Sequence, residues 1–568
     1  LYPDRLGEDF LALQLPGADG GQDPDPWTAT ALSRLLVAGA EEPPVYLGRA
    51  LTVLVETAKR WPHVAARLTA LLRERPDLAV VGGTPVLVSL ASWEAADVEV
   101  LEAVERLFPD HRHVDLDAGI AAVTSWLHTR RLAAASDPAG QARLYERLAW
   151  RLGHAGRREE ALAVTEQAVE IYRRLATVNR AAFEPDLAAS LGNLGGRLSG
   201  LGRREEALAV TDQAVEIRRR LVTVNRAAFE PDLARSLTNL GGQLSELGRR
   251  EEALAATEQA VEIRRRLATV NRAAFEPDLA ASLTNLGGQL SELGRREEAL
   301  AVTDQAVEIR RRLVTANRAA FEPDLAQSLT NLGGRLSGLG RREEALAATE
   351  QAIEIRRRLA TVNRAAFEPD LAQSLTDLGI GLSGLGRREE ALAATEQAVE
   401  IRRRLVTANR AAFEPDLALS LDNLGGRLWE LGRWEEALAV TDQAVEIYRR
   451  LATANRAAFE PDLAASLTNL GGRLSGLGRR EEALAATEQA IEIRRRLATA
   501  NRAAFEPDLA QSLTDLGIGL SGLGRREEAL AATEEAQTLS AAAQRTDQQQ
   551  RGSRRRRTST IVARILGR

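Results

Sequence analysis

Residues 236–266 read SLTNLGGQLSELGRREEALAATEQAVEIRRR, and near-copies of this stretch recur to the C-terminal part of the chain. Leu233, Leu237, Leu240, Leu244 and Leu247 stand four, three, four and three residues apart, the stripe of one amphipathic helix over roughly 232–247. Pro231 suits the first turn of such a helix and Gly248 its end. A second helix opens on Glu251 and Glu252 and closes on Arg264, Arg265 and Arg266, so each end carries the charge its dipole favours. Ala253, Leu254, Ala260 and Val261, grouped around Thr257, form its apolar stripe, with small members that let a neighbour approach closely. The segment NRAAFEP, 271–277, reads as the connector to the next copy, with Phe275 packing over helix ends.

The glycine of the turn recurs at 156, 202, 248, 294, 340, 386, 432, 478 and 524, a step of 46 residues that marks nine units. A two-helix unit with two apolar stripes cannot bury both alone and must stack on its neighbours. The fold class is therefore all-α, a helical solenoid of nine stacked two-helix repeats preceded by an irregular helical region. A longer duplication overlies the period: the segment QSLTDLGIGLSGLGRREEALAATE starting at Gln373 recurs from Gln511.

These residues resemble the tetratricopeptide repeat, whose pattern has Leu-Gly in the first helix and spaced alanines in the second. Leu240-Gly241, Ala253 and Ala260 match it, with Gly248 at the turn between helices. Leu237, Leu244 and Thr257 stand where the family often has aromatics, and 46 residues exceeds its usual period of about 34. Longer repeats of this kind occur in kinesin light chains and many bacterial signalling proteins. The resemblance covers about residues 137–543.

On a helical wheel with about 100° per residue, Arg235, Thr238, Asn239, Gly242, Ser245 and Glu246 fall opposite the leucines. The resemblance implies that this face lines a concave groove where a protein or peptide partner binds. One column along it is Asn193, Asn239, Asn285, Asn331, Asn423 and Asn469, with Asp377 and Asp515 substituted in two repeats. An asparagine amide both donates and accepts, so the column can pair with the backbone of an extended peptide; bonding within the array or to water is the alternative. Trp429 replaces the serine of the other repeats and is either a partner anchor or a cover for a neighbouring helix. Trp434, at the start of a second helix, reads as packing. Of the glycine pair, Gly241 is expected to let helices meet and Gly242 to face the groove.

Composition narrows the chemistry. Hydrophobic content of 44%, charged content of 27% and a net charge of −5 describe a chain with no general call for nucleic acid or membrane. Cysteine is absent, which removes disulfides, thiolate catalysis and cysteine-ligated metals, and fits a cytoplasmic location. No run approaches the roughly 20 apolar residues of a membrane span. The only lysine, Lys59, lies in a helical pattern and cannot serve a P-loop. His111, His113, Asp115 and Asp117 alternate, but a helix begins there and would splay them, so no metal site is expected. No base, nucleophile and orienting group come together, so no catalytic residue and no cofactor are assigned. The Arg-Arg-Glu-Glu runs read as solvated faces with local ion pairs.

Residues 1–136 lack the 46-residue period and read as a helical linker or cap: helices in WTATALSRLLVAG, YLGRALTVLVETAKRW, HVAARLTALLRER, DVEVLEAVERLF and GIAAVTSWLHTRRLAAA. LYPDRLGEDFLALQLPG and RLFPDHRHVDLDAGIAAVT resemble the segment that joins ATPase and repeats in bacterial STAND-class signalling NTPases. The absence of methionine, Leu1 included, reads as a fragment or processed product. Repeats occupy 137–543, and 544–568 form a basic tail expected to be disordered, whose Arg554–Arg557 run could touch nucleic acid. The expected function is a non-enzymatic interaction scaffold, the sensor arm of a STAND-like switch, with a free-standing adaptor as the alternative.

Overall fold

The computed structural model describes residues 44–541, together with 8, 9, 11, 12, 15 and 36. It is helical throughout, with no strand among the described residues. Apart from Leu36, which is helical and buried, the helix read in WTATALSRLLVAG lies outside the described residues, as does the basic tail with Arg554–Arg557. Two compact units divide the chain, Leu1–Leu293 and Gly294–Arg568.

The first unit begins with a non-repetitive core. Leu47–Ala58, Pro62–Glu74, Val98–Glu105 and Asp117–Ala134 fall where the sequence places helices; Asp77–Val81 and Thr84–Ala91 are added to them. Thr84–Ala91 follows Gly83, whose φ of 80° only glycine adopts readily, and carries its proline in the first turn. The GGTP segment is thus the entry of a helix and not merely a break. Leu51, Leu68, Leu87, Leu101 and Leu127 are fully buried in this core.

From Pro138 the chain becomes periodic. In the repeat quoted above, the helices are Arg226–Glu246 and Arg250–Val270, 21 residues each. Only Asn225, Asn271 and the turn 247–249 interrupt them. The first helix therefore starts six residues before the position expected, and most of NRAAFEP is helical. The physical reason is the cap: the Asn225 side chain accepts the Ala228 N–H at 3.1 Å, so the helix begins at the asparagine. Pro231 sits inside it, and the bond it cannot make would go to the Ala227 carbonyl, which is exposed and can be hydrated. The start signal was assigned to the wrong residue because proline competes with asparagine for that role.

The turn is as expected. Gly248 has φ 73°, Gly248 N–H reaches Ser245 O at 2.9 Å, and Arg249 N–H reaches Leu244 O at 2.9 Å. That six-to-one bond over a left-handed glycine is a Schellman cap. All nine turn glycines share the positive φ. In the first unit the periodic helices run from Pro138–His154 to Arg272–Glu292; in the second, from Arg296–Ala316 to Arg502–Gly522, followed by helical residues 526–541. Leu237 and Ala253 are 1% and 0% exposed, as the stripes require. Phe275, on the helix Arg272–Glu292, is half-buried against the cluster of the preceding repeat.

Where three arginines close a second helix, read from the sequence as dipole partners, they take three separate directions. Arg266 bonds Glu230 of the first helix in its own repeat at 2.9 Å and Glu262 one turn back at 2.8 Å. Arg219 donates to Gln259 on the second helix of the next repeat at 3.2 Å. Arg264 is 7% exposed and inserts between first helices, donating to Thr238 Oγ1 at 2.9 Å and to Ser282 Oγ of the following repeat. The second unit repeats the scheme with Arg358–Glu322, Arg357–Gln397 and Arg356–Ser374. The Arg-Arg-Glu-Glu runs, by contrast, are solvated: Arg249 bonds Glu252 three residues on at 2.6 Å, both side chains exposed. Such pairs contribute little.

Glu230 gives the array a pH dependence. Burial opposes its ionisation, but hydrogen bonds from Arg226 and Arg266 outweigh that and hold the carboxyl below its ordinary value of 4.5. Glu184, Glu322 and Glu414 are lowered in the same way. A carboxyl whose folded value lies below its unfolded one binds fewer protons when folded. Its contribution is complete above the unfolded value and is lost as pH falls through the folded one. The part of the thermal midpoint that these four carboxyls supply is therefore expected to hold steady from pH 7 to 5 and to be lost below about pH 4.5. Replacing all four glutamates with glutamine should flatten that drop, as followed by circular dichroism.

Candidate functional site: the glycine-pair face of the first helices

The glycine pair divides as the wheel requires. A Cβ on Gly241 would lie 2.3 Å from Thr257 Oγ1 and 3.1 Å from the Ala253 carbonyl, so this glycine is where the two helices of a repeat cross. A Cβ on Gly242 would meet nothing within 4 Å. Gly196, Gly288, Gly334 and Gly472 are open in the same way, so the second glycine of these pairs leaves bare backbone facing free space, while over Gly426 the Arg473 guanidinium stands 4.0 Å from the Cβ position.

The asparagine column lies on that open side. Asn193, Asn239, Asn285 and Asn469 are exposed, and Asn331 and Asn423 are half-buried. Their surroundings differ. Asn331 accepts from Gln327 Nε2 at 3.3 Å, while Asn469 bonds the carboxylate of Asp422. Asp377 and Asp515 are half-buried, and each accepts an amide N–H at 3.0 Å, from Gln373 and Gln511. Burial raises the Asp377 carboxyl above its ordinary value, against the Gln373 bond and the charges of Arg356 and Arg402.

Trp429 is half-buried. Its six-membered ring lies over Gly476 of the next repeat, where a Cβ would come within 2.5 Å. The ring also meets Trp434 at 6.3 Å between centroids. Other repeats carry serine here and use it differently: Ser245 bonds Glu292 of the next repeat at 3.2 Å. Where the partner position is glycine, as at 476, the indole fits over it. Trp434 is 53% exposed. At the other candidate cluster, the Asp117 carboxylate accepts the His113 backbone N–H at 3.1 Å at the start of Asp117–Ala134. No group of three or more potential metal ligands occurs among the described residues. No helix among them is long and apolar enough to cross a membrane.

One column on this face escaped the sequence reading. It runs Arg197, Gln243, Gln289, Arg335, Gly381, Arg427, Arg473 and Gly519, immediately after the glycine pair. Some of its long members reach back over the previous repeat: Gln289 donates to the Gly241 carbonyl at 3.3 Å and Arg473 to the Asp422 carbonyl at 3.2 Å, whereas Arg427 bonds Glu430 three residues on at 3.0 Å. A mixture of Arg, Gln and Gly at one register was the available signal. It marks a place where a polar tip is either supplied or left out.

With the helix pairs, the turn and the open face described, the class is defined: a helical-repeat interaction module. Tetratricopeptide repeat patterns match residues 142–176, 187–222, 233–268, 279–316, 325–360, 371–408 and 416–496. The chain belongs to the tetratricopeptide repeat family. No curated protein matches it. Among solved structures it is similar to BtubC (BKLC) from P. vanneervenii, at 21% identity and TM-score 0.37, over 44% of this chain and 92% of that one. A Podosopora anserina protein with nearly identical TPR-like repeats is 25% identical with TM-score 0.32, over 39% of this chain and 96% of that one. Aspartyl phosphate phosphatase F from Bacillus subtilis is 15% identical with TM-score 0.39, over 71% and 94%.

Proposed function

We propose that this chain is a non-enzymatic scaffold that binds an extended protein segment along the glycine-pair face. The observation that carries the reading is the exposed asparagine column beside bare helix backbone. Donor and acceptor amides stand at a regular repeat, with room for a second chain to approach. Tetratricopeptide repeat proteins serve as interaction scaffolds, and the buried polar groups of this array stitch repeats together without forming a catalytic set.

The test uses the full chain and a partner identified by cross-linking. Changing Asn193, Asn239 and Asn285 together to alanine removes three hydrogen bonds. Each is worth about 0.5–1.5 kcal/mol, so affinity should fall roughly tenfold to a thousandfold without change in fold. Unchanged affinity by calorimetry would sink the groove reading.

Residues 1–136 serve, in this reading, as the linker of a STAND-like switch in the cytoplasm, with residues 137–543 as its sensor arm. The resemblance of the first 140 or so residues supports that arrangement. Partner binding would then bias the state of an upstream nucleotide-binding domain. The coding sequence before Leu1 decides it: a glycine-rich turn ending in Lys-Ser or Lys-Thr supports the switch, and a nearby start codon supports a free-standing adaptor.

A further inference from the structure

Two repeats of the second unit leave out the polar tip that the others carry. Position 381 is glycine and so is 519, three repeats later. Over the glycine pairs they would have covered, the structure has cavities of about 550 Å³ at Gly333-Gly334 and about 440 Å³ at Gly471-Gly472. Over Gly425, Gly241 and Gly195 that space is occupied: the Arg473 guanidinium lies 2.8 Å from where a Gly425 Cβ would sit, the Gln289 amide 3.4 Å from that of Gly241, and the Gln243 amide 3.5 Å from that of Gly195.

The same two repeats carry two further changes. Asparagine becomes aspartate at 377 and 515, and the second glycine becomes isoleucine at 380 and 518. Both carboxylates and both isoleucines line the cavities. Ile380 is 52% exposed and Ile518 is 69% exposed, uncommon for isoleucine. The loss of a polar tip, arginine or glutamine elsewhere in the column, thus coincides with the gain of a carboxylate and an apolar wall. Those are the two surfaces an arginine presents for, one to its guanidinium and one to its methylene stem.

We propose that these cavities are receptor sites for arginine side chains of a bound protein segment, each taking one guanidinium of the kind that Arg473 supplies from within the array over Gly425. The glycine floor admits the planar group, Asp377 or Asp515 accepts from it, and Ile380 or Ile518 covers the stem. Arg342 and Arg480 also line the cavities, but each donates to a helix-end carbonyl, Gly384 O at 3.2 Å and Gly522 O at 3.0 Å. Arg335 lines only the first cavity, so the second should take the cation more tightly. The proposal rests on the groove reading and gives it a ligand chemistry.

The probe is a five-residue peptide with one central arginine, compared with the same peptide carrying citrulline, titrated into the full chain by calorimetry and NMR. Two peptides per chain are expected, with the arginine form at least tenfold tighter. Gly381→Arg and Gly519→Arg, which restore a residue the fold already accepts at 473, should each remove one site, and together both. Asp377→Asn with Asp515→Asn should erase the preference for arginine over citrulline. Equal binding of the two peptides, or arginine binding that survives the double glycine change in a chain with parental circular dichroism, overturns the proposal. The groove reading is judged separately on Asn193, Asn239 and Asn285, which line neither cavity.

Discussion

Arg264→Ala is expected to lower stability by about 2–4 kcal/mol, far more than any other arginine of its run. The side chain is buried between repeats, so its removal leaves a void and strands Ser282 Oγ, which is 0% exposed. A buried hydroxyl without a partner costs about 1–3 kcal/mol, and the lost packing adds to that. Burial pushes the guanidinium's pKa down, with Asp278 opposing, but its charge persists across the working pH range. Because its partners are neutral hydroxyls, the loss should be nearly independent of salt. Arg249→Ala, which removes only an exposed ion pair, should shift stability by less than about 0.5 kcal/mol.

The chain itself shows how this cost can be offset. At the register of Arg264, two repeats have Tyr172 and Tyr448. At the register of Thr238, the same two repeats have Glu146 and Asp422. Glu146 accepts from Ser190 of the following repeat, and Asp422 stands beside Ser466. In the first of these repeats a carboxylate on the first helix, Glu146, thus replaces the arginine as partner of the next repeat's serine, and Tyr172, 1% exposed, fills the space. Arg264→Tyr alone should remain destabilised, and adding Thr238→Glu should recover at least half of the loss. Urea unfolding of the four chains measures the coupling directly; an additive double variant would refute it.

Gly241→Ala should destabilise by about 1–3 kcal/mol, whereas Gly242→Ala, one residue on, should stabilise by about 1 kcal/mol. Alanine gains the same helix propensity at either place. At 241 its methyl runs into Thr257 Oγ1 and approaches the Ala253 carbonyl, which is backbone and can move only by separating the helices. At 242 it meets nothing. Thr257→Ala removes the nearer obstacle, so combined with Gly241→Ala it should restore much of the stability. Equal effects of the two glycine changes, read as thermal midpoints, would show that the crossing is looser than these distances.

Much of this was legible in the sequence because the chain prints its signals many times over, the turn glycine nine times. The leucine spacing, the turn glycine and the opposite roles of Gly241 and Gly242 follow from helix geometry alone. The helix start did not, because Asn225 and Pro231 both signal one and only the asparagine's side-chain bond decides. The asparagine column is a surface that any wheel exposes. Some of its neighbours are on the wheel, as in the bond from Gln373 to Asp377 one turn on, but others are not: the Asp422 contact with Asn469 and the Trp429 ring over Gly476 join successive repeats by stacking.

By itself, then, the sequence determined the helix pairs, their period and which side of each first helix faces outward, since these depend on residues within a few turns of one another. The tertiary structure decided what the polar side chains do. Arg264, Arg265 and Arg266 are identical and adjacent, and no local pattern separates them. Rotation of about 100° per residue along the helix carries them to different neighbours. One enters a gap between repeats, where a charge must find hydroxyls, and another meets a glutamate at the surface. The same stacking turns the missing side chain at Gly381 and Gly519 from a gap in a list into a cavity.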